Sequence, residues 1–201
     1  NSKIEVIPTG VDVDKMKIQP NRLMSTERRV IGWIGTPGNL PYVDAISDSL
    51  VAVLKQNKNF ELRIVTSSSE AIPFSLKPYA TFVKWYPGIE FDELPSWSVG
   101  IMPLADDEWT RGKCSFKLLQ YLSAGIPAVA SPVGMNVEVL SEGSGGCLAR
   151  SKSEWIDALL MILNDSEYNY RMGLVGRRIV EERYSLSVIA NKWRYVLDKW
   201  L

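Results

Sequence analysis

The stretch RVIGWIGTPGNLPYVDAISDSLVAVLKQNKNFELRIVT, residues 29–66, sets the fold class. RVIGWI (29–34) is an apolar, β-branched run of strand length that stops at the glycine loop GTPGN (35–39). In the following LPYVDAISDSLVAVLKQN (40–57), Val43, Ile46, Leu50, Val53 and Leu54 recur at helical spacing, and FELRIVT (60–66) is a second strand. Strand, glycine loop, helix and strand make one right-handed crossover unit of a parallel sheet.

Downstream the alternation continues. TFVKWY (81–86), SVGIMPL (98–104), IPAVAS (126–131) and GCLAR (146–150) read as strands, with a short helix in IEFDELPSW (89–97) and a longer one from Cys114 to Ala124. Residues 67–80, rich in serine and proline, are irregular. Three helices close the chain: SEWIDALLMIL from 153, DSEYNYRMGLVGRRIVEERY from 165 and SLSVIANKWRYVLDKWL from 185. Upstream, KIEVI (3–7) reads as a strand closed by Pro8 and the turn-like TGVD, and residues 13–28 are polar and without period. The chain therefore divides into an entry strand and linker, 1–28, and one domain, 29–201. The latter is α/β: a Rossmann-like, doubly wound parallel sheet with helices on both faces and further helices at the C-terminus.

Composition narrows the chemistry. With 201 residues, 46% of them hydrophobic, the chain can bury roughly 70% of its unfolded surface around one core. Its 23 basic and 23 acidic side chains cancel, which removes the cationic excess of a nucleic-acid binder. Without histidine there is no Ser/His/Asp or Cys/His centre and no His-ligated metal, and two cysteines cannot build a four-thiolate zinc site. Cys114 and Cys147 have no paired spacing and read as buried thiols of a reducing compartment. No apolar run approaches the roughly 20 residues of a membrane span, and no signal peptide is visible, so the reading is cytoplasmic. The start at Asn1 suggests an excised domain.

In an open parallel sheet ligands bind beyond the carboxyl ends of the strands. Three loops lie there. In GTPGN, Gly35 and Gly38 allow close backbone approach, and Thr36 and Asn39 add hydrogen-bonding groups; a tight turn with an Asn cap explains the same residues. At the end of the third strand, Lys84, Trp85 and Tyr86 offer a cation and a stacking face for a base, or core aromatics. In ADDEWTRGKCS the carboxylates Asp106, Asp107 and Glu108 suit acid/base work or sugar hydroxyls, unless the run is a solvated loop.

Next to it, Lys113 and Lys117 bring two cations to a helix N-terminus, against the helix dipole. An anion between them resolves that conflict, held by the amides of Cys114, Ser115 and Phe116 with Arg111 nearby; two solvated surface lysines are the other reading.

The segment GKCSFKLLQYLSAGIPAVASPVG (112–134) resembles the donor-site motif of retaining glycosyltransferases of the GT-B architecture, the group 1 or family-four-like transferases. IEVIPTGVD (4–12) and VIGWIGTPGN (30–39) resemble two earlier landmarks of the same C-terminal domain, in the same order. Ser115, Lys117, Leu118 and Tyr121 match a subset with Ser/Asn-(x)-Lys-Leu-x-Glu-Tyr in that helix. The resemblance implies a nucleotide-sugar-binding domain facing an N-terminal, acceptor-binding half that carries any catalytic histidine. It implies transfer from a nucleoside-diphosphate sugar to a glycan or lipid-linked acceptor, with no metal and no other cofactor, and any membrane association through the other half.

The family's E-x7-E pattern falls on Gly112 and Gln120, neither of them glutamate. Gln120 keeps groups able to bond ribose hydroxyls, and Glu108 is the nearest carboxylate to replace the one that contacts the donor sugar. The implied donor-binding set is Gly35, Thr36, Asn39, Lys84, Trp85, Arg111, Lys113, Cys114, Ser115, Phe116, Lys117 and Gln120. A binding module that has lost transfer activity fits the same departures. A flavodoxin-like receiver needs acidic groups after the first and third core strands, where GTPGN and KWYPG supply none.

Overall fold

Strand β1, Arg29–Ile34, lies near the middle of one parallel sheet in the computed structural model, which describes residues 4–18, 28–140 and 145–200. Its companions are β2 Phe60–Thr66, β3 Ala80–Lys84, β4 Val99–Met102, β5 Ala128–Ala130 and β6 Gly146–Leu148. The order is β3-β2-β1-β4-β5-β6, with every pair parallel. The helices are α1 Leu40–Asp44, α2 Ser47–Leu54, α3 Ile89–Glu93, α4 Glu108–Arg111, α5 Phe116–Ser123, α6 Met135–Leu140, α7 Lys152–Asn164, α8 Ser166–Arg183 and α9 Leu186–Trp200.

Both faces of the sheet are covered, so the central strands are apolar throughout rather than alternating. Along β1, Val30 and Ile34 enter one core with Trp97, Leu118, Tyr121 and Leu122, while Ile31 and Trp33 enter the other with Leu50, Ile64, Leu159 and Ile162. Each fully buried side chain of this kind contributes about 1.5–3 kcal/mol relative to exposure. α5 and α8 pack together, as do α2 and α7. The doubly wound α/β architecture expected from the sequence is the one observed.

Several local expectations are corrected. The helix over 40–57 is two helices, because Ile46 (φ −109°, ψ 11°) leaves helical geometry and starts α2 anew. The fourth strand ends at Met102, where Pro103 has no N–H for the ladder. α6 occupies a stretch for which the sequence suggested no element. No strand forms over residues 4–7; Ile4 and Val6 are 80% and 84% exposed, and the segment first pairs at Val11, whose N–H donates to the Tyr184 carbonyl at 2.9 Å. Residue 3 and most of the suggested linker, 19–27, lie outside the described residues. Both cysteines are free thiols, but neither is buried as expected: Cys114 is exposed and Cys147 half-buried.

Candidate functional site

Strand order reverses between β1 and β4: β1, β2 and β3 step one way, β4, β5 and β6 the other. The loops leaving β1 and β4 therefore diverge and open a crevice at the carboxyl end of the sheet. GTPGN forms one wall. The Gly35 N–H donates to Val65 O at 3.0 Å, Pro37–Asn39 make a single 3-10 turn, and the Asn39 amide donates to Thr36 Oγ1 at 2.9 Å.

The other wall is the β4 loop and the start of α5, and buried polar contacts fix it. Ser115, the residue before α5, is the one described non-glycine residue with positive φ (52°). Its hydroxyl does not cap the helix. Instead Ser115 Oγ donates to Asn136 Oδ1 at 2.7 Å, Asn136 Nδ2 donates to Ser131 O at 3.0 Å, and Ser131 Oγ accepts from the Leu104 N–H at 3.0 Å. Six residues along, the buried Tyr121 phenol accepts from the Ile34 N–H at 3.3 Å and donates to Ile101 O at 3.4 Å, bridging β1 and β4. Burial pushes that phenol's pKa well above its usual value. α5 is thus bolted to the strand ends with its N-terminus at the crevice.

Two lysines meet there. Lys113 reaches across to the β1 loop: its Nζ donates to Asn39 Oδ1 at 2.8 Å and sits 4.9 Å from the centre of the Tyr42 ring. Lys117 Nζ lies 5.9 Å from the Trp33 ring centre. Its stem runs over Gly35, where a Cβ would come within 2.7 Å of Lys117 Cε and 2.8 Å of the Trp33 ring, so only glycine fits. Among the described residues Lys117 has neither an ion-pair nor a hydrogen-bond partner. Partial burial, then the charge of Lys113, pulls its ammonium pKa below the usual lysine value. A half-buried cation without an acid is a ready anion site.

The remaining expected residues are spread around this centre. Thr36, Gly38, Cys114 and Phe116 are exposed along the crevice walls, and Gln120 follows Lys117 by three positions on α5, half-buried. The hydroxyl of Ser115 faces the interior. Lys84 and Trp85 stand at the end of β3, two strands or about 9–10 Å from β1, with Trp85 half-exposed. Arg111 pairs with Asp106 at 2.7 Å, each charge stabilising the other. The Asp107 carboxylate caps α4 through the Thr110 N–H at 2.8 Å, which holds its pKa low. Of the acidic run, Glu108 alone has neither ion pair nor hydrogen bond among the described residues. A cavity of about 620 Å³ extends from Gly112 and Lys113 past Gly134 and Glu138 to Thr9.

Tyr42 and Trp33 escaped sequence reading. The signal was present: Tyr42 is three residues beyond Asn39, one helical turn away, but nothing local reveals a cation arriving from residue 113.

A family model described as Glycosyl transferases group 1 matches residues 28–165. Among solved structures, the chain resembles sucrose-phosphate synthase from Thermosynechococcus elongatus (16% identity, TM-score 0.74), covering 98% of this chain and 52% of that one. It also resembles Anabaena Alr3699/HepE, solved in complex with UDP and glucose (14%, TM-score 0.77, 96% and 56%). A third similar structure is the C-terminal domain of LpcC, a glycosyl transferase group 1 family protein from Francisella tularensis (16%, TM-score 0.67, 88% and 100%). The chain thus spans about half the length of the first of these. No curated protein sequence matches it. With more than half its length under the family model, the chain belongs to the group 1 glycosyl transferases.

Proposed function

We propose that this chain is the donor-binding C-terminal half of a two-domain sugar transferase of the GT-B architecture. It binds a nucleoside-diphosphate sugar and supports retaining, metal-independent transfer to a glycan or lipid-linked acceptor held by an N-terminal half, on the cytoplasmic side. Family membership and the chain's coverage of about half of two-domain-length relatives such as sucrose-phosphate synthase and HepE support the two-domain reading.

The observation that carries the donor assignment is Lys117, a half-buried ammonium at the mouth of α5 with no ion-pair or hydrogen-bond partner among the described residues, with Lys113 nearby. As the bond from sugar to diphosphate breaks, negative charge grows on the β-phosphate. Two cations and the free amides of a helix N-terminus, held in place beforehand, stabilise that charge; removing one such donor in acyl-transfer sites costs about 2.7–4 kcal/mol. Gln120 faces the ribose hydroxyls in this reading, and Lys84 with Trp85 the base. Arg111, Cys114 and Phe116 line the approach to the phosphates.

Gly112 and Gln120 favour a second reading, a nucleotide-sugar-binding module without transfer activity. A thermal-shift screen with UDP-, GDP-, ADP- and dTDP-sugars tests what the two share: a ligand at 100 times its Kd adds about 2.7 kcal/mol, and no shift with any donor refutes both. Transfer by this chain joined to an N-terminal half separates them. The chain by itself is expected to be inactive.

A further inference from the structure

The β1 wall of the crevice carries no cation of its own. From Val30 to Leu54, across GTPGN, α1 and α2, there is neither lysine nor arginine. A positive charge is nevertheless found there, because Lys113 crosses from the other wall. Its backbone N–H is fixed on Thr110 O at 3.1 Å, its Nζ meets Asn39 Oδ1 at 2.8 Å, and the Tyr42 ring lies beneath it with a centre 4.9 Å away. The Asn39 amide is oriented for this: its Nδ2 is engaged by Thr36 Oγ1, which leaves the oxygen toward the lysine.

We propose that Asn39 and Tyr42 are positioning residues that hold Lys113 over the β1 loop, so that the crevice grips a diphosphate with two lysines, Lys113 at Asn39 and Tyr42 and Lys117 over Gly35 and Trp33. This rests on the donor-binding reading above and deepens it. A free lysine stem samples many rotamers, so an ammonium held at one place binds at less entropic cost than one recruited from solvent. Lys113 and Lys117 repel each other, with no acid paired to either among the described residues. A ligand with two phosphates relieves both; a monophosphate reaches one. The pair of posts thus favours diphosphates.

Calorimetry on this chain with UDP, GDP, ADP and dTDP, each beside its monophosphate and nucleoside, tests the proposal. Asn39→Ala should weaken the best-binding diphosphate about tenfold and Tyr42→Leu about threefold, with smaller losses for the monophosphate and none for the nucleoside. Tyr42→Phe, which keeps the ring face, should remain within about twofold of the wild type. In a Lys113→Met background Tyr42→Leu should change nothing further. Tyr42→Phe as weak as Tyr42→Leu, or an undiminished effect of Tyr42→Leu without Lys113, assigns Tyr42 to packing and overturns the proposal. If none of the four diphosphates binds the wild type, the donor-binding reading falls along with it, a result distinct from the others.

Discussion

Replacing Lys117 by methionine should move binding and stability in different directions. Methionine keeps most of the apolar stem over Gly35 and Trp33 and removes the ammonium. A hydrogen bond to a charged group contributes about 1.5–3 kcal/mol, so diphosphate affinity should fall about 10- to 150-fold. The bare Coulomb attraction of two unit charges 4 Å apart near a protein surface, about 4 kcal/mol, is larger, and desolvation of the phosphate takes up the difference. Nucleoside affinity should not change.

Stability of the free chain should hold or rise, because the lost charge is one that burial and Lys113 disfavour. The pH dependence has a definite sign. Lys117 titrates below the ordinary 10.5 in the folded chain, so between its depressed value and 10.5 the unfolded chain binds more protons. Wild-type stability therefore gains a rising contribution from Lys117 across that window, and Lys117→Met lacks it. Calorimetry with the diphosphate and nucleoside, and urea melts from neutral pH to 10.5, read both. An equal loss for nucleoside and diphosphate, or a destabilised variant with unchanged affinity, refutes the anion role.

Two other substitutions probe the frame around the lysines. Gln120→Leu should weaken the nucleoside itself by about tenfold through lost ribose hydrogen bonds, measured by the same titrations; unchanged affinity removes Gln120 from the ribose site. Asn136→Ala strands the buried Ser115 hydroxyl, at about 1–3 kcal/mol by urea denaturation, and should lower diphosphate affinity by loosening the start of α5. Full stability in that variant means the Ser115–Asn136–Ser131 chain is dispensable.

Where the sequence read true and where it did not follows from the range of the forces involved. The core strands were legible because each is a short, largely apolar run closed by Gly, Pro or Ser, and in β1 and β4 burial on both faces leaves almost no polar alternation. KIEVI has the same residue types, yet residues 4–7 form no strand, since strand preference depends on having a partner edge. α6 was missed because MNVEVL is under two turns long, and its start depends on Gly134 at φ 52°, packed over the Arg111 carbonyl. At the site, the two lysines were legible from their conflict with the helix dipole. The use of the Asn39 oxygen was not: the turn-capping and ligand-facing readings are both local, whereas the donor to that oxygen is 74 residues away. Ser115 likewise looked like a cap or a ligand group, and only the tertiary fold turns its hydroxyl inward to Asn136.

The charge arrangement sets how binding energy is divided between nucleotide and sugar. Arg111 and Asp106 neutralise each other, Asp107 is occupied by the α4 cap, and Gly112 and Gln120, where the sequence resemblance puts the family's two glutamates, offer a hydrogen atom and an amide. What remains at the mouth of α5 is positive, suited to phosphate and poor in acceptors for sugar hydroxyls. A carboxylate accepting a hydroxyl contributes about 1.5–3 kcal/mol, and its absence at Gly112 forfeits a gain of tenfold or more. Nucleoside diphosphate and nucleoside-diphosphate sugar should therefore bind this chain within about threefold of each other. A sugar-dependent gain above tenfold refutes this division and moves hydroxyl recognition to Glu138 in the adjoining cavity or to Glu108 on α4. Glu138→Gln and Glu108→Gln, titrated with the same pair of ligands, then identify the acceptor, because only the true one loses the gain while leaving diphosphate affinity in place.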